Sequence, residues 1–197
     1  MQPHAYIFVG HSGAGKGTQV ALLKEKIKAH HPETDIFHLE TGALFRRFST
    51  DTTYTASKTA ALMGQGKLPP AFIGVHVWSH ELVGRYDNEP FVIIDGTPRV
   101  AIEVPLLLSA AAFYNWEVYV IALEVSDAWA LDRLVARGRD DDRDEQERTE
   151  RMRWFHSNVV PAITLLQHSP DVHYERINGE RPIEVVHADI CARLGFA

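Results

Sequence analysis

The chain has 197 residues, a formal net charge of −6 and a single cysteine, Cys191. That length supports one substantial core with small appended subdomains. The acidic balance argues against a general binder of nucleic acid or membrane surfaces, and one cysteine excludes an intramolecular disulfide or a cysteine-rich zinc site.

From the amino end, Ala5-Tyr6-Ile7-Phe8-Val9 opens a strand over 5–10, followed by a helix over 15–30. Four residues precede that strand and no apolar segment reaches membrane-spanning length, so a cytoplasmic location is expected. A second strand at 36–40 leads into helices over 41–49, 54–64 and 70–86. The third, 91–95, precedes a helix over 100–115, and the fourth, 117–125, precedes helices over 126–138 and 144–168. A fifth strand at 172–178 and a helix over 181–195 close the chain. The strands at 91–95 and 117–125 are nearly continuous Val, Ile, Leu, Phe and Tyr, the pattern of parallel strands covered on both faces. This α/β alternation predicts one doubly wound, five-stranded parallel sheet with helices on both faces. Ligands then bind outside the carboxyl ends of the strands. Two insertions interrupt the alternation: the helices of 41–90, and the charged turn Arg139-Asp140-Asp141-Asp142-Arg143. Both fall where mobile elements close over a site at the sheet edge.

The segment Gly10-His11-Ser12-Gly13-Ala14-Gly15-Lys16-Gly17-Thr18-Gln19 joins the first strand to the first helix. Its glycines permit left-handed turns and close approach of the backbone. The N–H groups over Gly13–Thr18 and the helix N-terminus suit a phosphate, and Lys16 adds a full positive charge for the outer phosphates. The spacing fits G-x-x-x-x-G-K, with Gly17 where Ser or Thr is usual and Thr18 one place later. A second acidic and basic pair ends the third strand: Asp95, then Arg99 after Pro98. Asp95 suits the water shell of a magnesium ion beside the loop.

The loop Gly10–Gln19, Thr41-Gly42-Ala43-Leu44-Phe45-Arg46, Gly66-Lys67-Leu68-Pro69-Pro70, Asp95-Gly96-Thr97-Pro98-Arg99 and the segment Arg133–Arg151 together resemble the motifs of the adenylate kinase family. They occur in that family's order and cover nearly the whole chain. The resemblance implies transfer of a γ-phosphoryl group from Mg·ATP to a nucleoside monophosphate, by a monomer needing no nucleic acid or membrane. By motif, ATP is held by Gly13, Ala14, Gly15, Lys16, Gly17, Thr18, Arg133, Arg137 and Arg181. The monophosphate falls to Thr41, Gly42, Arg46, Lys67, Leu68, Pro69, Gly96, Thr97, Pro98, Arg99 and Glu103. Lys16, Arg99, Arg137, Arg139 and Arg151 serve the transferring group, and Arg139 and Arg151 also reach the monophosphate. Asp95 holds Mg2+ through water. The implied division is a core of 1–40, 91–138 and 144–197, a monophosphate-binding insertion over 41–90 and a short lid over 139–143.

Some residues depart from the family pattern. Ser12 replaces a frequent proline, Ala43 a common aspartate, and the short lid has no room for a zinc-binding subdomain. Glu103 stands where the family usually carries a glutamine that reads adenine. A glutamine amide both donates and accepts, whereas an ionised glutamate only accepts, so Glu103 suits the N–H donors of guanine. Thr41, by contrast, is the residue type of adenylate-specific members. AMP is the expected acceptor, with GMP, CMP or UMP, a non-catalytic nucleotide-binding regulator, and a small-metabolite kinase as alternatives. His76 and His80 are spaced i,i+4 with no third metal ligand nearby in sequence.

Overall fold

Five strands, β1 (His4–Gly10), β2 (Ile36–Glu40), β3 (Phe91–Asp95), β4 (Glu117–Glu124) and β5 (Val172–Asn178), lie parallel in the order β2-β3-β1-β4-β5. This is the α/β class and sheet the sequence predicts. The computed structural model describes residues 2–64, 67, 69–137 and 145–196, apart from the side chains of Arg137, Gln146 and Glu147. The turn over 139–143 and Leu68 lie outside the described residues.

The apolar run of β1 explains its central place. Ala5, Ile7 and Val9 face one core, and Tyr6 and Phe8 face the other, all of them buried. A strand buried on both faces needs cover from two helical layers. One layer is α1 (Lys16–His30) with α9 (Ile183–Arg193), which bring Val20, Leu23, Ile27, Val186 and Ile190 against Tyr6 and Phe8. The other contains α4 (Ala71–Arg85), α5 (Glu103–Phe113) and α8 (Val160–Gln167), contributing Val77, Leu82, Leu107 and Leu166. Each large side chain so buried contributes about 1.5–3 kcal/mol relative to leaving it exposed.

The segment between β2 and β3 holds α2 (Thr41–Phe48), α3 (Tyr54–Met63) and α4. Glu81 of α4 is buried, and its two oxygens accept from Arg47 of α2 and from Arg85, each at 2.5 Å. Burial alone would raise the Glu81 pKa, but hydrogen bonds from the two guanidinium groups outweigh it and hold the value below normal.

Two helix boundaries differ from the sequence expectation. The helix expected from 100 begins at Glu103, because the Glu103 carboxylate accepts from the backbone N–H of Arg99 at 2.5 Å and of Val100 at 3.3 Å. The helix expected over 144–168 is interrupted. After α6 (Asp127–Arg137) come α7 (Glu145–Trp154), a π turn over Phe155–Val159, and then α8. Pro161 lacks the N–H that an α-helical register requires, and the preceding turn widens so that Val160 N–H reaches Phe155 O. Among the described residues no helix is long and apolar enough to cross a membrane.

Candidate active site

The phosphate loop sits at the carboxyl end of β1, between β3 and β4. Gly10, Gly13 and Gly15 all take positive φ, at 136°, 91° and 89°. Side chains are excluded at two of them: a Cβ on Gly10 would run into the Leu123 carbonyl oxygen, and one on Gly13 would lie 2.6 Å from Ala130 O. Gly15 caps α1, so the loop opens directly onto a helix N-terminus. Gly15, Gly17 and Thr18 are exposed at this mouth, while Ala14 is buried behind it. Lys16 Nζ donates to the carbonyl oxygens of Gly10 and His11, both at 2.9 Å, so its ammonium lies over the loop.

The parallel register fixes what stands beside the loop. Asp95 is paired with Phe8 of β1 on one side and with Glu40 of β2 on the other. Asp95 Oδ2 lies 3.9 Å from where a Cβ on Gly17 would be, so its carboxylate overlooks the first turn of α1. A hard oxygen donor in that place fits a magnesium ion accompanying phosphates. It stands beside the position where the usual loop carries a hydroxyl.

Because β2 and β3 end together, Thr41-Gly42 meets Gly96. The Arg99 guanidinium lies 3.2 Å from a Cβ placed on Gly96 and 4.0 Å from one on Gly42, and Arg46 Nη1 lies 3.4 Å from the latter. Arg99 Nε donates to Gly96 O at 2.7 Å, and Arg46 Nη2 to Glu40 at 3.1 Å. Burial lowers the Arg99 pKa, with Arg151 of α7 and Arg46 adding like-charge repulsion while Glu103 and Asp95 oppose it. Three guanidinium groups therefore share one electrostatic neighbourhood. Such a concentration suits a dianionic phosphate, which accepts planar, paired donors. The hydroxyl oxygens of Thr41 and Thr97 are buried here with no hydrogen-bond partner among the described residues. Buried polar groups are normally paired, so these two hydroxyls are available to a bound molecule.

Glu103 is 3% exposed, and its Oε2 is engaged by the backbone of Arg99 and Val100. Burial raises its pKa, against the pull of those hydrogen bonds and of the Arg99 charge. Its other oxygen lies 2.6 Å from the place a Cβ on Gly74 would take, so α4 admits this carboxylate only because residue 74 is glycine. Lys67 is exposed and Pro69 half-buried just before α4.

On the β4–β5 side the candidate residues are more open. Arg133 is exposed and stacks over the Trp129 ring at 4.8 Å. Arg137 ends α6, one turn further on. Arg181 donates to Asp189 at 2.6 Å and to Asn178 O at 3.0 Å, after β5. A Cβ on Gly179 would lie 2.8 Å from Val125 and 3.5 Å from Ala14 O of the phosphate loop. Arg139 lies outside the described residues. Arg148 is half-buried, one turn before Arg151 on α7. The grouping of His11 with Asp127 and His156 beside the loop has no signal in sequence spacing.

A phosphate loop at the sheet's switch point, with an arginine pocket one strand away, defines a nucleotide-binding phosphotransferase of the P-loop class. Residues 8–170 match the family model for adenylate kinase. The chain is 30% identical over 190 residues to an adenylate kinase of Corynebacterium diphtheriae, spanning 96% of this chain and 98% of that protein. It is 31% identical over 190 residues to one from Prochlorococcus marinus, spanning 96% and 97%. A protein named adenylate kinase 1 from Synechocystis is 28% identical over 188 residues, 93% of each chain. The chain belongs to the adenylate kinase family. It is a kinase of the nucleoside monophosphate type.

Proposed function

We propose that this enzyme transfers the γ-phosphoryl group of Mg·ATP to AMP, giving two molecules of ADP. The observation that carries the reading is the meeting of Arg46 and Arg99 beside Gly42 and Gly96, one strand from the phosphate loop, with the Arg151 charge acting on Arg99. A phosphate oxygen of AMP attacks the γ-phosphorus, the bond to the β,γ-bridging oxygen breaks, and that electron pair leaves on the new ADP. The protein's part is alignment and neutralisation of charge rather than covalent chemistry.

The N–H groups of Gly13, Ala14, Gly15, Lys16, Gly17 and Thr18, with the Lys16 ammonium, hold the donor's phosphates. Arg133 lies along the ATP base, and Arg137 and Arg181 complete that side. Thr41, Gly42, Arg46, Lys67, Leu68, Pro69, Gly96, Thr97, Pro98 and Arg99 receive AMP. Arg139 and Arg151 reach to the transferring group. Asp95 would hold Mg2+ through water; when bound, that ion offsets charge on the β- and γ-oxygens. Residues 41–90 act as the monophosphate-binding insertion and 139–143 as the lid, both closing on a core made of 1–40, 91–138 and 144–197. Closure excludes the water that would otherwise hydrolyse ATP. The reading includes a monomer working in the cytoplasm.

Glu103 supports a second reading, in which guanine N–H groups meet its carboxylate. AMP is preferred because Glu103 Oε2 is already engaged by the Arg99 and Val100 backbone, and because the relatives are named adenylate kinases. The test is a coupled assay with ATP and each of AMP, GMP, CMP and UMP, on the natural protein and on Glu103→Gln. AMP should be the best acceptor, and Glu103→Gln should keep it within a few-fold. GMP turnover equal to that of AMP, and lost in Glu103→Gln, would establish the guanine reading. Nucleotide binding with no product from any monophosphate would make the chain a regulator instead.

A further inference from the structure

Beside the phosphate loop, three side chains with no part in the phosphoryl transfer just described come together. His11 belongs to the loop, Asp127 to the first turn of α6 and His156 to the π turn. Their donor atoms all lie within 4.8 Å of one another, the one such trio of histidine, cysteine or acidic groups among the described residues. His156 Nε2 lies 2.9 and 3.0 Å from the two oxygens of Asp127. His11 Nε2 lies 3.7 Å from Asp127 Oδ1.

His11 is the informative member. It is 1% exposed, and its Nδ1 lies 2.9 Å from the carbonyl oxygen of Ser12. That oxygen can only accept, so the proton sits on Nδ1 and leaves a lone pair on Nε2. Nε2 is itself buried with no hydrogen-bond partner among the described residues; 3.7 Å from a carboxylate oxygen is too far for one. Phe155 packs on the ring at 4.1 Å between centroids and fixes its aim. A ring whose Nδ1–H is held by a backbone carbonyl while Nε2 points at a carboxylate and a second imidazole is oriented as metal-ligating histidines are. The π turn that presents His156 is a device that recurs at functional sites.

We propose that His11 Nε2, the Asp127 carboxylate and His156 Nε2 form a binding site for a divalent transition-metal ion of the zinc class, separate from the magnesium that accompanies ATP. Two imidazole nitrogens and one carboxylate oxygen suit Zn2+, Co2+ or Ni2+, whereas Mg2+ and Ca2+ take oxygen ligands. Metal–ligand bonds of about 2.0–2.2 Å place donor atoms roughly 3.3 Å apart. Asp127 and His156 are exposed and have the freedom to close the remaining distance of up to about 1.5 Å. Without metal, His156 Nε2–H donates to Asp127. Metal entry moves that proton to Nδ1, or releases one proton to solvent where the ring is doubly protonated. The bound ion ties the loop to α6 and to the π turn. Since the His11 carbonyl also accepts from Lys16, metal site and nucleotide site share one stretch of backbone.

The test is calorimetric titration of the chelator-treated full chain with Zn2+, paralleled by Co2+ visible absorption, without nucleotide. One ion should bind per chain, with tetrahedral Co2+ bands and a thermal midpoint that climbs with Zn2+ and not with equal Mg2+. Asp127→Ala and His156→Ala, at exposed positions, should each weaken binding at least about tenfold, and His11→Gln should abolish it. His76→Ala, which breaks the stacked His76–His80 pair on α4, should leave binding unchanged. Unaltered Zn2+ affinity in both exposed variants, no Zn2+ uptake by the natural protein, or an equal Mg2+ effect would overturn the proposal. Misfolding of His11→Gln would not protect it, because the two exposed variants decide the matter alone.

Discussion

The two flanks of the central strand are finished to different degrees. On the β2–β3 flank the pocket is set before any ligand arrives. Thr41 and Thr97 are each 1% exposed, Arg99 Nε is bound to Gly96 O, and the Glu103 carboxylate grips the Arg99 backbone. On the β4–β5 flank Arg133 rests in the open on Trp129, and Arg181 is held by Asp189. The first flank carries its ordering cost within folding, and the second must order its side chains when ligand binds. If, as proposed, the β2–β3 flank receives the monophosphate and the β4–β5 flank the donor, the first is a preformed mould and the second is ordered by its ligand.

If that contrast is right, substitutions on the preformed flank should act on kcat and those on the open flank on binding. The largest effect is expected at Arg99. Arg99→Ala should lower kcat for AMP phosphorylation by about 10³-fold, the scale of an arginine that meets transition-state charge. Its circular dichroism spectrum should match that of the natural protein. Lys16→Met, in the loop shared by both flanks, should cost about 10²–10³-fold, as removal of one strong donor does. Full activity in either variant would remove the assigned roles.

Glu81 tests whether the mould depends on its scaffold. Its Arg47 partner joins α4 to α2, which carries Arg46, while Arg85 of its own helix holds the second oxygen. Glu81→Gln should destabilise the chain by about 1–2 kcal/mol in urea unfolding. The figure is modest because both arginine side chains are about two-thirds exposed. The pH dependence has a definite sign. Its folded pKa is lowered, so the stabilisation is complete above the unfolded value near about 4.3 and is lost as pH falls through the folded one. The gap between natural protein and variant should therefore shrink on acidification; a gap that widened would remove the ion pair as its cause.

The sheet was legible because β3 and β4 are apolar along their length, which only double-sided cover explains. The phosphate loop was legible because its glycines and lysine are contiguous, so local spacing carries the whole signal. The helix break at Phe155–Val159 was not. Pro161 lies inside the helix expected over 144–168, but a π turn arises from where the missing N–H can be absorbed, and that depends on packing. Glu103 shows the same limit. Its identity stood out against the family pattern, yet its engagement with the Arg99 and Val100 backbone, and the room Gly74 gives it, come from two helices meeting across a crossover. The trio of His11, Asp127 and His156 is spread over three elements, and each member alone reads as an ordinary surface or loop residue.

The smallest expected effect is the sharpest check on the contrast. Arg133 stacks on Trp129, and a cation over an exposed aromatic ring is worth only about 0.5–1 kcal/mol. If the donor flank orders itself around ATP, that arginine contributes mainly to holding the base, equally in ground and transition states. Loss of such uniform binding raises KM and leaves kcat alone. Arg133→Ala should therefore raise KM for ATP by a few-fold, with kcat within about twofold of the natural value and KM for AMP unmoved. A fall in kcat approaching that of Arg99→Ala would mean that the open flank stabilises the transition state as strongly as the preformed one does, and that its exposure without ligand says nothing about its role.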